Sequence, residues 1–439
     1  MNKTIWKYIF IFSILALALN MNIIVYNNYV PLFLQAGNPN FSTWLMVSAG
    51  FGLSAFWAGI IMSIDNVLGL ILTPFIGMFS DKTGKRKPFI TWPSIILAAA
   101  FVLIPVVIST IPSAKSGDLS SLILPFIILL TLALTFILTN LSVSVVRNAY
   151  LLELVPSNQR SKMFGFLNLI TSIGGLGLTF AAAPLYNISR ILPFAVSAVF
   201  MILAAVLIIV FVKESPKNEF KQSDNEQATL RSIFSTLKGY EADEKQSLIA
   251  IIITLFFVSF GMAAFQTYSS SYAVKTLGMG EANSILLVAM FFIGMLVMSI
   301  PAGYIAARIG RRKTIRIGQV IYGLTMVVAF MVPYQTPAMI SLIILGAAYA
   351  LIDVNMLATF SDILRGSRSM GTIIGLHSFF ATLSTIAAVP LAGWIFGLFQ
   401  NNYNLLWLIG AVTTLIAFVA MLFVKRGEVQ QEESQPSAS

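Results

Sequence analysis

Long apolar runs, separated by short polar segments, repeat along almost the whole chain. A membrane-spanning helix needs about 20 consecutive apolar residues, and twelve runs reach that length. We predict these helices at roughly 8–34, 51–79, 90–111, 121–150, 162–184, 191–212, 247–273, 283–306, 315–333, 338–361, 371–397 and 402–424. The pattern therefore predicts an all-α membrane protein with twelve transmembrane helices.

The longest polar segment divides the predicted helices into six and six. It runs from Lys213 to Gln246 and is rich in Lys, Glu, Asp, Asn and Gln, a composition that does not bury a core. We expect an N-terminal six-helix bundle at 1–212, a cytoplasmic linker at 213–246, a C-terminal six-helix bundle at 247–425 and a disordered cytoplasmic tail at 426–439.

The first apolar run begins just after Lys3 and Lys7, as the hydrophobic part of a signal peptide would. The segment Ala16-Leu17-Ala18 also resembles a cleavage site. The apolar stretch continues well beyond this point, however, so we expect an uncleaved first helix.

The basic residues determine the expected orientation, because Lys and Arg concentrate in cytoplasmic loops. With the N-terminus inside, only Lys115, Arg190 and Lys275 of the 27 Lys and Arg fall in external loops, while Arg147 lies within a helix. The sequence thus predicts a plasma-membrane protein whose N- and C-termini are both cytoplasmic. The net charge of +10 then reflects topology and contact with lipid headgroups, and we expect no nucleic-acid partner.

Composition excludes several other classes of protein. The chain is 57% hydrophobic and 10% charged, with a mean hydropathy of +0.87, whereas a soluble protein is about 25% charged. It contains no cysteine and a single histidine, which leaves no ligand set for a zinc or haem centre. We expect neither an enzyme nor a bound cofactor or metal, and a chain that functions as a monomer.

Two predicted cytoplasmic loops carry related sequences. The loop after helix 2 reads GMFSDKTGKRK and the loop after helix 8 reads GYIAARIGRRK, and four identical residues share one offset of 226. Their glycines permit close helix approach and a tight turn. The candidate residues of this duplicated loop are Gly77, Asp81, Gly84, Lys85 and Arg86 in the first copy and Gly303, Gly310, Arg311 and Arg312 in the second.

The acid in the first loop leaves two interpretations open. Asp81, at a helix end, can pair with the basic cluster or with the start of a neighbouring helix. Such a contact would stabilise one conformation and break in another. Alternatively, the basic residues only anchor the loop on the cytoplasmic side.

Together, the duplicated loop, the twelve spans and the central linker resemble the major facilitator superfamily along the whole chain. The pattern G-x-x-x-D-[RK]-x-G-[RK]-[RK]-[RK] between helices 2 and 3 is a signature of that family, and Gly77, Asp81 and Gly84 stand at its fixed positions. The second copy departs at the acid, where Ala307 stands. The resemblance implies two six-helix bundles around a midplane site that work by alternating access.

Helices 2 and 4 resemble those of the sucrose–proton symporters and their glycoside–cation relatives. In RNAYLLELVP, Arg147 and Glu153 take the positions of the family's arginine and acid. The segment GLILTPFIGMFSDK also matches, although Thr73 replaces the usual glutamine and Asp65-Asn66 the usual Gly-Pro. The resemblance implies a sugar-symporter-like chain without selecting a sugar.

A carboxylate inside helix 2 is the most unusual feature of the apolar pattern. Asp65 lies roughly 24 Å along the helix from Asp81, well inside an apolar layer about 30 Å thick. An ionised aspartate there costs about 2.5–3.5 kcal/mol. Asp65, with Asn66 beside it, is our first candidate for coupling to a proton or, alternatively, to sodium; the other interpretation is a structural aspartate bonded to a neighbouring amide or hydroxyl.

Two further buried charges, Arg147 in helix 4 and Asp353 in helix 10, are each about nine residues, or 13 Å, from the cytoplasmic end of their helix. An unpaired buried arginine is costly. Arg147 can pair with Asp353 as an inner gate, with Glu153 or Asp65 instead, or can extend towards the interface. Asp353 and Glu153 are also candidates for cation coupling.

Polar and aromatic side chains collect on helices 1 and 7. This mixture suits the hydroxyl groups and ring faces of a sugar, although it also suits interhelical packing. His377 in helix 11 is expected to be packed or hydrogen-bonded, with a proton relay as the alternative. The substrate or gate candidates are Arg147, Asn20, Asn27, Asn28, Tyr29, Gln266, Tyr268 and His377.

From these features we expect a secondary transporter of a small neutral solute, a sugar or glycoside, driven by protons or sodium. A proton-driven exporter of drug-like solutes is the alternative on the same fold. Such exporters commonly carry an acid or arginine in helix 1, where this chain has asparagines. A membrane enzyme would need a nucleophile with a base or a metal site, and the sequence offers neither.

Overall fold

The computed structural model describes residues 3–37, 49–83, 85–112, 115–154, 160–214, 241–364 and 370–427. These residues form twelve α-helices of at least 18 residues each, and no β-strand occurs among them. The helices are α1 Lys3–Gln35, α2 Ala55–Thr83, α3 Lys87–Ser109, α4 Ile123–Leu154, α5 Arg160–Ile188, α6 Leu192–Phe211, α7 Ala242–Lys275, α8 Leu286–Ile309, α9 Arg311–Met331, α10 Gln335–Ile363, α11 Met370–Leu398 and α12 Leu405–Leu422.

The predicted all-α architecture with twelve transmembrane helices is confirmed. Two short 3-10 helices, Leu119–Leu122 and Glu281–Ile285, precede α4 and α8. The predicted bounds differ most at the starts of α1 and α7, which begin at Lys3 and Ala242. There the helix continues from the apolar run into polar residues, which hydropathy alone does not reveal.

Eleven of the helices are long and apolar enough to cross a membrane within the described residues; α5, whose side chains are only partly described, is the remaining one. A helix suits this environment because it satisfies its own backbone hydrogen bonds. Large apolar side chains point outward as well as into the core, as α6 illustrates with exposed Val199, Ile202, Val206 and Val210. These outward faces are of the kind that lipid covers.

Successive spanning helices alternate in direction, so the end of α1 and the start of α2 share one end of the bundle. We call this the far end, and the end that carries the start of α1 the near end. The end of α3, the start of α4, the end of α5 and the end of α7 also lie at the far end.

The chain forms two compact units. Unit 1 comprises Met1–Ser223, Ala264–Ala289 and Ile386–Leu406, and unit 2 comprises Asp224–Ala263, Met290–Thr385 and Trp407–Ser439. Unit 1 therefore contains α1–α6 together with the far-end parts of α7 and α11. The division into two six-helix bundles with the bounds given above stays a prediction.

Aromatic rings fill the core of unit 1 between α1, α3, α4 and α6. Tyr26 stacks on Phe136 with ring centroids 4.7 Å apart, and Phe136 lies 5.0 Å from Phe101. Phe101 lies 4.9 Å from Phe194, which in turn lies 6.2 Å from Tyr29. This row of rings connects two positions on α1 that are less than one helical turn apart.

In unit 2 the backbones of α8 and α10 come very close together. A Cβ atom added to Gly294 would lie 1.9 Å from the Ile343 carbonyl oxygen, and one added to Gly346 would lie 1.9 Å from that of Phe291. Small residues allow such close approach between membrane helices. These two glycines are therefore required for the packing of α8 on α10.

Candidate functional site

Asp65 lies in the middle of α2 with its side chain half-buried. Its Oδ1 accepts hydrogen bonds from the backbone N–H of Asn66 at 2.7 Å and from the Asn66 side-chain amide at 2.5 Å. Both donors belong to the adjacent residue, and no ion pair of Asp65 is found among the described residues. The local amide contact expected of a structural aspartate is thus present, but no second helix compensates the carboxylate.

Buried polar atoms without a hydrogen-bond partner in the described part of the chain lie on α1 and α4, two helices that contact α2. The Tyr26 hydroxyl on α1 is buried and has no hydrogen-bond partner among the described residues, and the phenol interacts electrostatically with the Asp65 carboxylate. Both amide atoms of Asn22 and the Nδ2 of Asn140 are also buried and unpaired. A buried polar group without a partner costs about 1–3 kcal/mol, so this arrangement calls for a ligand or water.

Helix geometry gives the order of the residues on α1 and α4 along unit 1. Tyr26 stacks on Phe136 of α4, and α1 and α4 run in opposite directions. Asn22 precedes Tyr26 by four residues and Asn140 follows Phe136 by four, so both lie one helical turn, about 5.4 Å, towards the near end. We call Asn22, Tyr26, Asp65, Asn66 and Asn140 the polar cluster.

The polar cluster has the chemistry of a small-ligand or cation site. It provides one carboxylate, amide groups and one phenol, so it can donate to and accept from hydroxyl groups. Its oxygens are also the ligands that hard cations prefer. No group of three or more His, Cys, Asp or Glu side chains occurs in the described part of the chain, so Asp65 would act with neutral oxygens.

The sequence interpretation did not single out Asn22, Tyr26 or Asn140 as site residues. A signal was available for Asn140, which interrupts an apolar run seven residues before Arg147 and hence on the same helix face. Its unpaired state, however, depends on the neighbouring helices. Only the packing of α1, α2 and α4 shows it.

Arg147 does not pair with Asp65 in the described structure. Its guanidinium donates to the Asn148 Oδ1 at 3.0 and 3.2 Å, and its side chain is half-buried. The Glu153 side chain lies outside the described residues, so that pairing stays a prediction, as does pairing with Asp353. In unit 2, Asp353 is exposed on α10, whereas the sequence pattern predicted it to be buried.

The other polar candidates of α1 mostly hold helices together. Asn20 donates to the Thr171 carbonyl oxygen of α5 at 3.2 Å, and Asn28 donates to Ile24 within α1 at 2.8 Å. The Oδ1 of Asn28 is buried and unpaired, while Asn27 is half-buried. Tyr29 donates to the Ala282 carbonyl oxygen at 3.3 Å.

Tyr268 has a structural role in unit 1. Its hydroxyl is within hydrogen-bond distance of the backbone oxygens of Ala55 at 2.8 Å and Val389 at 3.0 Å, which joins α7 to α2 and α11. A Cβ on Gly59 would lie 2.3 Å from this hydroxyl, and one on Gly393 would lie 2.5 Å from it. The far ends of these three helices are therefore in close contact.

The two remaining candidates for substrate binding or gating, Gln266 and His377, have few contacts among the described residues that indicate a role. Gln266 is half-buried on α7. His377 is half-buried on α11, with its ring centroid 5.9 Å from that of Phe360. The expected packed histidine agrees with this ring contact, and a proton relay through His377 stays a prediction.

The first copy of the duplicated loop joins α3 to the end of α6. The backbone N–H groups of Arg86 and Lys87 donate to the Glu214 carboxylate at 2.5 and 3.0 Å. The Lys87 Nζ donates to the Ile209 carbonyl oxygen at 2.8 Å. Arg86 also donates to Ser80, whereas Lys85 is exposed. Gly84 and the Asp81 side chain lie outside the described residues.

The second copy of the duplicated loop joins α9 to the end of α12. Arg312 donates to the Val424 and Lys425 carbonyl oxygens at 3.2 and 2.5 Å, which places a cation at a helix C-terminus. Arg311 pairs with Asp362 of α10. Gly310 has a φ of 92°, a conformation that favours glycine, whereas a Cβ on Gly303 would meet no atom within 4 Å.

Comparison with known proteins identifies the family. The model of the Major Facilitator Superfamily matches residues 9–290 and 251–439. A general alpha-glucoside permease of Schizosaccharomyces pombe is 25% identical over 244 residues, which cover 50% of this chain and 42% of that protein. An uncharacterized MFS-type transporter of Methanocaldococcus jannaschii is 24% identical over 397 residues, 87% of this chain and 88% of that one.

Solved structures share the fold at low sequence identity. A D-xylose–proton symporter has a TM-score of 0.68 at 15% identity and covers 95% of this chain and 97% of its own. A peptide transporter of the POT type has a TM-score of 0.69 at 12% identity, with coverages of 95% and 94%. The chain, a multi-pass membrane protein, therefore belongs to the Major Facilitator Superfamily of transporters.

Proposed function

We propose that the protein is a secondary active transporter that moves a sugar or glycoside together with a cation by alternating access. The observation that carries this proposal is the polar cluster: Asp65 lies within a spanning helix and is bonded by Asn66, and the contacting helices α1 and α4 carry buried amide and phenol atoms without a partner among the described residues. A proton or a sodium ion bound at Asp65 would remove the cost of the charge. The unpaired groups would bind solute hydroxyls or the water around the ion.

Two observations support a sugar as the solute. The matched stretch of the alpha-glucoside permease covers half of this chain, and it fits the branch that helices 2 and 4 resemble. The polar cluster also contains neutral donors and acceptors in addition to its carboxylate, as hydroxyl recognition requires. A proton-coupled exporter of drug-like solutes is the alternative on the same fold.

The proposed orientation places the near end in the cytoplasm. The basic residues of the first loop copy, Arg86 and Lys87, lie at this end of unit 1, and positive charge concentrates on the cytoplasmic side. Both termini are then cytoplasmic, the membrane is the plasma membrane, and the far end faces outside.

Transport by the purified protein in proteoliposomes tests the proposal. Radiolabelled sugars, glycosides and amphipathic cations are compared with and without an imposed proton or sodium gradient. We expect accumulation of a sugar or glycoside that requires one of the two gradients. Gradient-driven movement of amphipathic cations alone would favour the exporter instead.

A further inference from the structure

A second buried carboxylate lies at the far end of unit 1. Glu281 begins the 3-10 helix Glu281–Ile285 that leads into α8, and only 11% of its side chain is exposed. Its Oε2 accepts a hydrogen bond from the Tyr186 hydroxyl at 3.1 Å and lies 3.5 Å from the Arg190 Nη2. The first half of the chain thus binds a carboxylate of the second half.

Tyr29 of α1 strengthens this contact from the other side. Its ring stacks on that of Tyr186 with centroids 4.4 Å apart, and its hydroxyl donates to the Ala282 carbonyl oxygen at 3.3 Å. In the described residues, the titratable side chains that face Glu281 are Arg190 and Tyr186 from the end of α5 and Tyr29 from α1. We call Tyr29, Tyr186, Arg190 and Glu281 the outer latch.

We propose that Glu281 is a second proton-binding carboxylate, and that its ionised form keeps the outer latch closed. The inference rests on the proposed function, in which the far end is where the solute enters. A carboxylate holds Arg190 and the Tyr186 hydroxyl by charge-assisted interactions. A proton from the external solution would bind a carboxylate oxygen and remove the charge, so Arg190 would lose its counter-ion and the contact would weaken.

The outer latch also shares an element with the polar cluster. Tyr29 and Tyr26 are three residues apart on α1, so a movement of this helix that releases Tyr29 also moves Tyr26 and its surroundings. Proton uptake from outside would therefore open the far end and expose the polar cluster in the same step. A proton that binds the open state more tightly shifts the population towards it, and this order of events is compatible with symport driven by an inward proton gradient.

Thiol labelling tests the outer latch without measuring transport. The chain has no cysteine, so a single introduced thiol is a clean reporter. Ser270 on α7 is fully buried and its hydroxyl is unpaired, so Ser270→Cys removes no hydrogen bond. A membrane-impermeant maleimide added from outside reports how often the far end opens.

The labelling rate of Ser270→Cys is measured in three backgrounds: the native latch, Glu281→Gln and Asp118→Asn. Each is measured at neutral pH and at about pH 5, where an ordinary glutamate begins to protonate. With the native latch, Ser270→Cys should react slowly at neutral pH. In Glu281→Gln it should react about tenfold faster, the factor that loss of one charge-assisted hydrogen bond corresponds to. Dividing each native rate by the Glu281→Gln rate at the same pH removes the pH dependence of thiol chemistry, and this ratio should rise towards one at the lower pH.

Asp118→Asn is the matched control. Asp118 is a fully exposed carboxylate at the same end, and hydrogen bonds from Ser120 and Ser121 hold its pKa below its usual value, so it stays ionised in both conditions. This variant should label at the native rate. If Asp118→Asn is labelled as fast as Glu281→Gln, removal of any negative charge at the far end explains the faster labelling. The outer latch is then not responsible, and the proposal is wrong.

Two further results would overturn the proposal. Labelling of Glu281→Gln at the native rate shows that Glu281 does not hold the far end closed. A native ratio that stays constant with pH shows a latch without proton binding. If Glu281→Gln fails to fold, Arg190→Gln replaces it, because this variant breaks the same ion pair at its more exposed residue. Ser270→Cys should then be labelled at the rate expected for Glu281→Gln. Because labelling needs no substrate, failure of sugar transport and failure of the latch are separate outcomes.

Discussion

At the scale of single residues, Tyr26 and Tyr268 differ in how their hydroxyl groups are bonded. Both phenols are buried in unit 1. The Tyr268 hydroxyl contacts two backbone oxygens, whereas the Tyr26 hydroxyl has no hydrogen-bond partner in the part of the chain that the structure describes and interacts electrostatically with Asp65. The same chemical change at the two positions should therefore have different consequences.

We expect Tyr268→Phe to lower the free energy of unfolding by about 1 kcal/mol, since it removes a hydroxyl that is hydrogen-bonded in the folded state. Tyr26→Phe removes a hydroxyl without a partner, so stability should be unchanged or slightly higher. Thermal unfolding in detergent measures both. Tyr26→Phe should instead raise the KM for transport, and an unchanged KM would remove Tyr26 from the proposed site.

Asp65→Asn tests the coupling role of the carboxylate. The substitution keeps the size of the side chain but removes its charge, so neither a proton nor a sodium ion can be exchanged there. Gradient-driven accumulation of the solute should be lost. Exchange of labelled for unlabelled solute across the proteoliposome membrane, with no proton or sodium gradient imposed, should remain. Asp118→Asn, which removes an exposed carboxylate, is the matched control and should accumulate solute normally. If accumulation also persists in Asp65→Asn, Asp65 has only a structural role.

At the scale of elements, close helix pairs depend on glycines that face another backbone. Gly294 and Gly346 pack α8 against α10 with no space for a Cβ, whereas a Cβ on Gly397 of α11 would meet no atom within 4 Å. The two loop copies likewise tie α3 to α6 and α9 to α12 through carbonyl oxygens at helix ends. In both cases the contact is between elements, which the sequence of one element does not show.

Gly294→Ala should destabilise unit 2 by about 2 kcal/mol or more, because the added methyl group would overlap the Ile343 carbonyl and force α8 and α10 apart. Gly397→Ala adds the same methyl group in open space and should be neutral or slightly stabilising. The yield of monodisperse protein and its melting temperature distinguish the two. Equal melting temperatures for both variants would contradict the close approach.

At the scale of the whole molecule, the distribution of basic residues leads to a prediction of orientation. The absence of native cysteine again permits a direct measurement. An impermeant thiol reagent outside intact cells should label Asp118→Cys in the loop before α4 and should not label Ser437→Cys in the tail, which should react only after the membrane is permeabilised. Labelling of Ser437→Cys in intact cells would reverse the orientation and place the outer latch inside.

The sequence by itself determined the fold class and the order of the elements. Twelve apolar runs of spanning length, a polar linker and a duplicated loop identify this architecture because the membrane requires long apolar helices whatever their neighbours are. It also identified Asp65 as the most unusual residue, since a charge in an apolar run is visible without a structure. The tertiary structure decided the rest: that buried polar atoms of Asn22, Tyr26 and Asn140 have no hydrogen-bond partner among the described residues, that Tyr268 holds helices together, and that Glu281 meets Tyr186 and Arg190. The physical reason is that burial and hydrogen bonding in these cases join residues that are far apart along the chain.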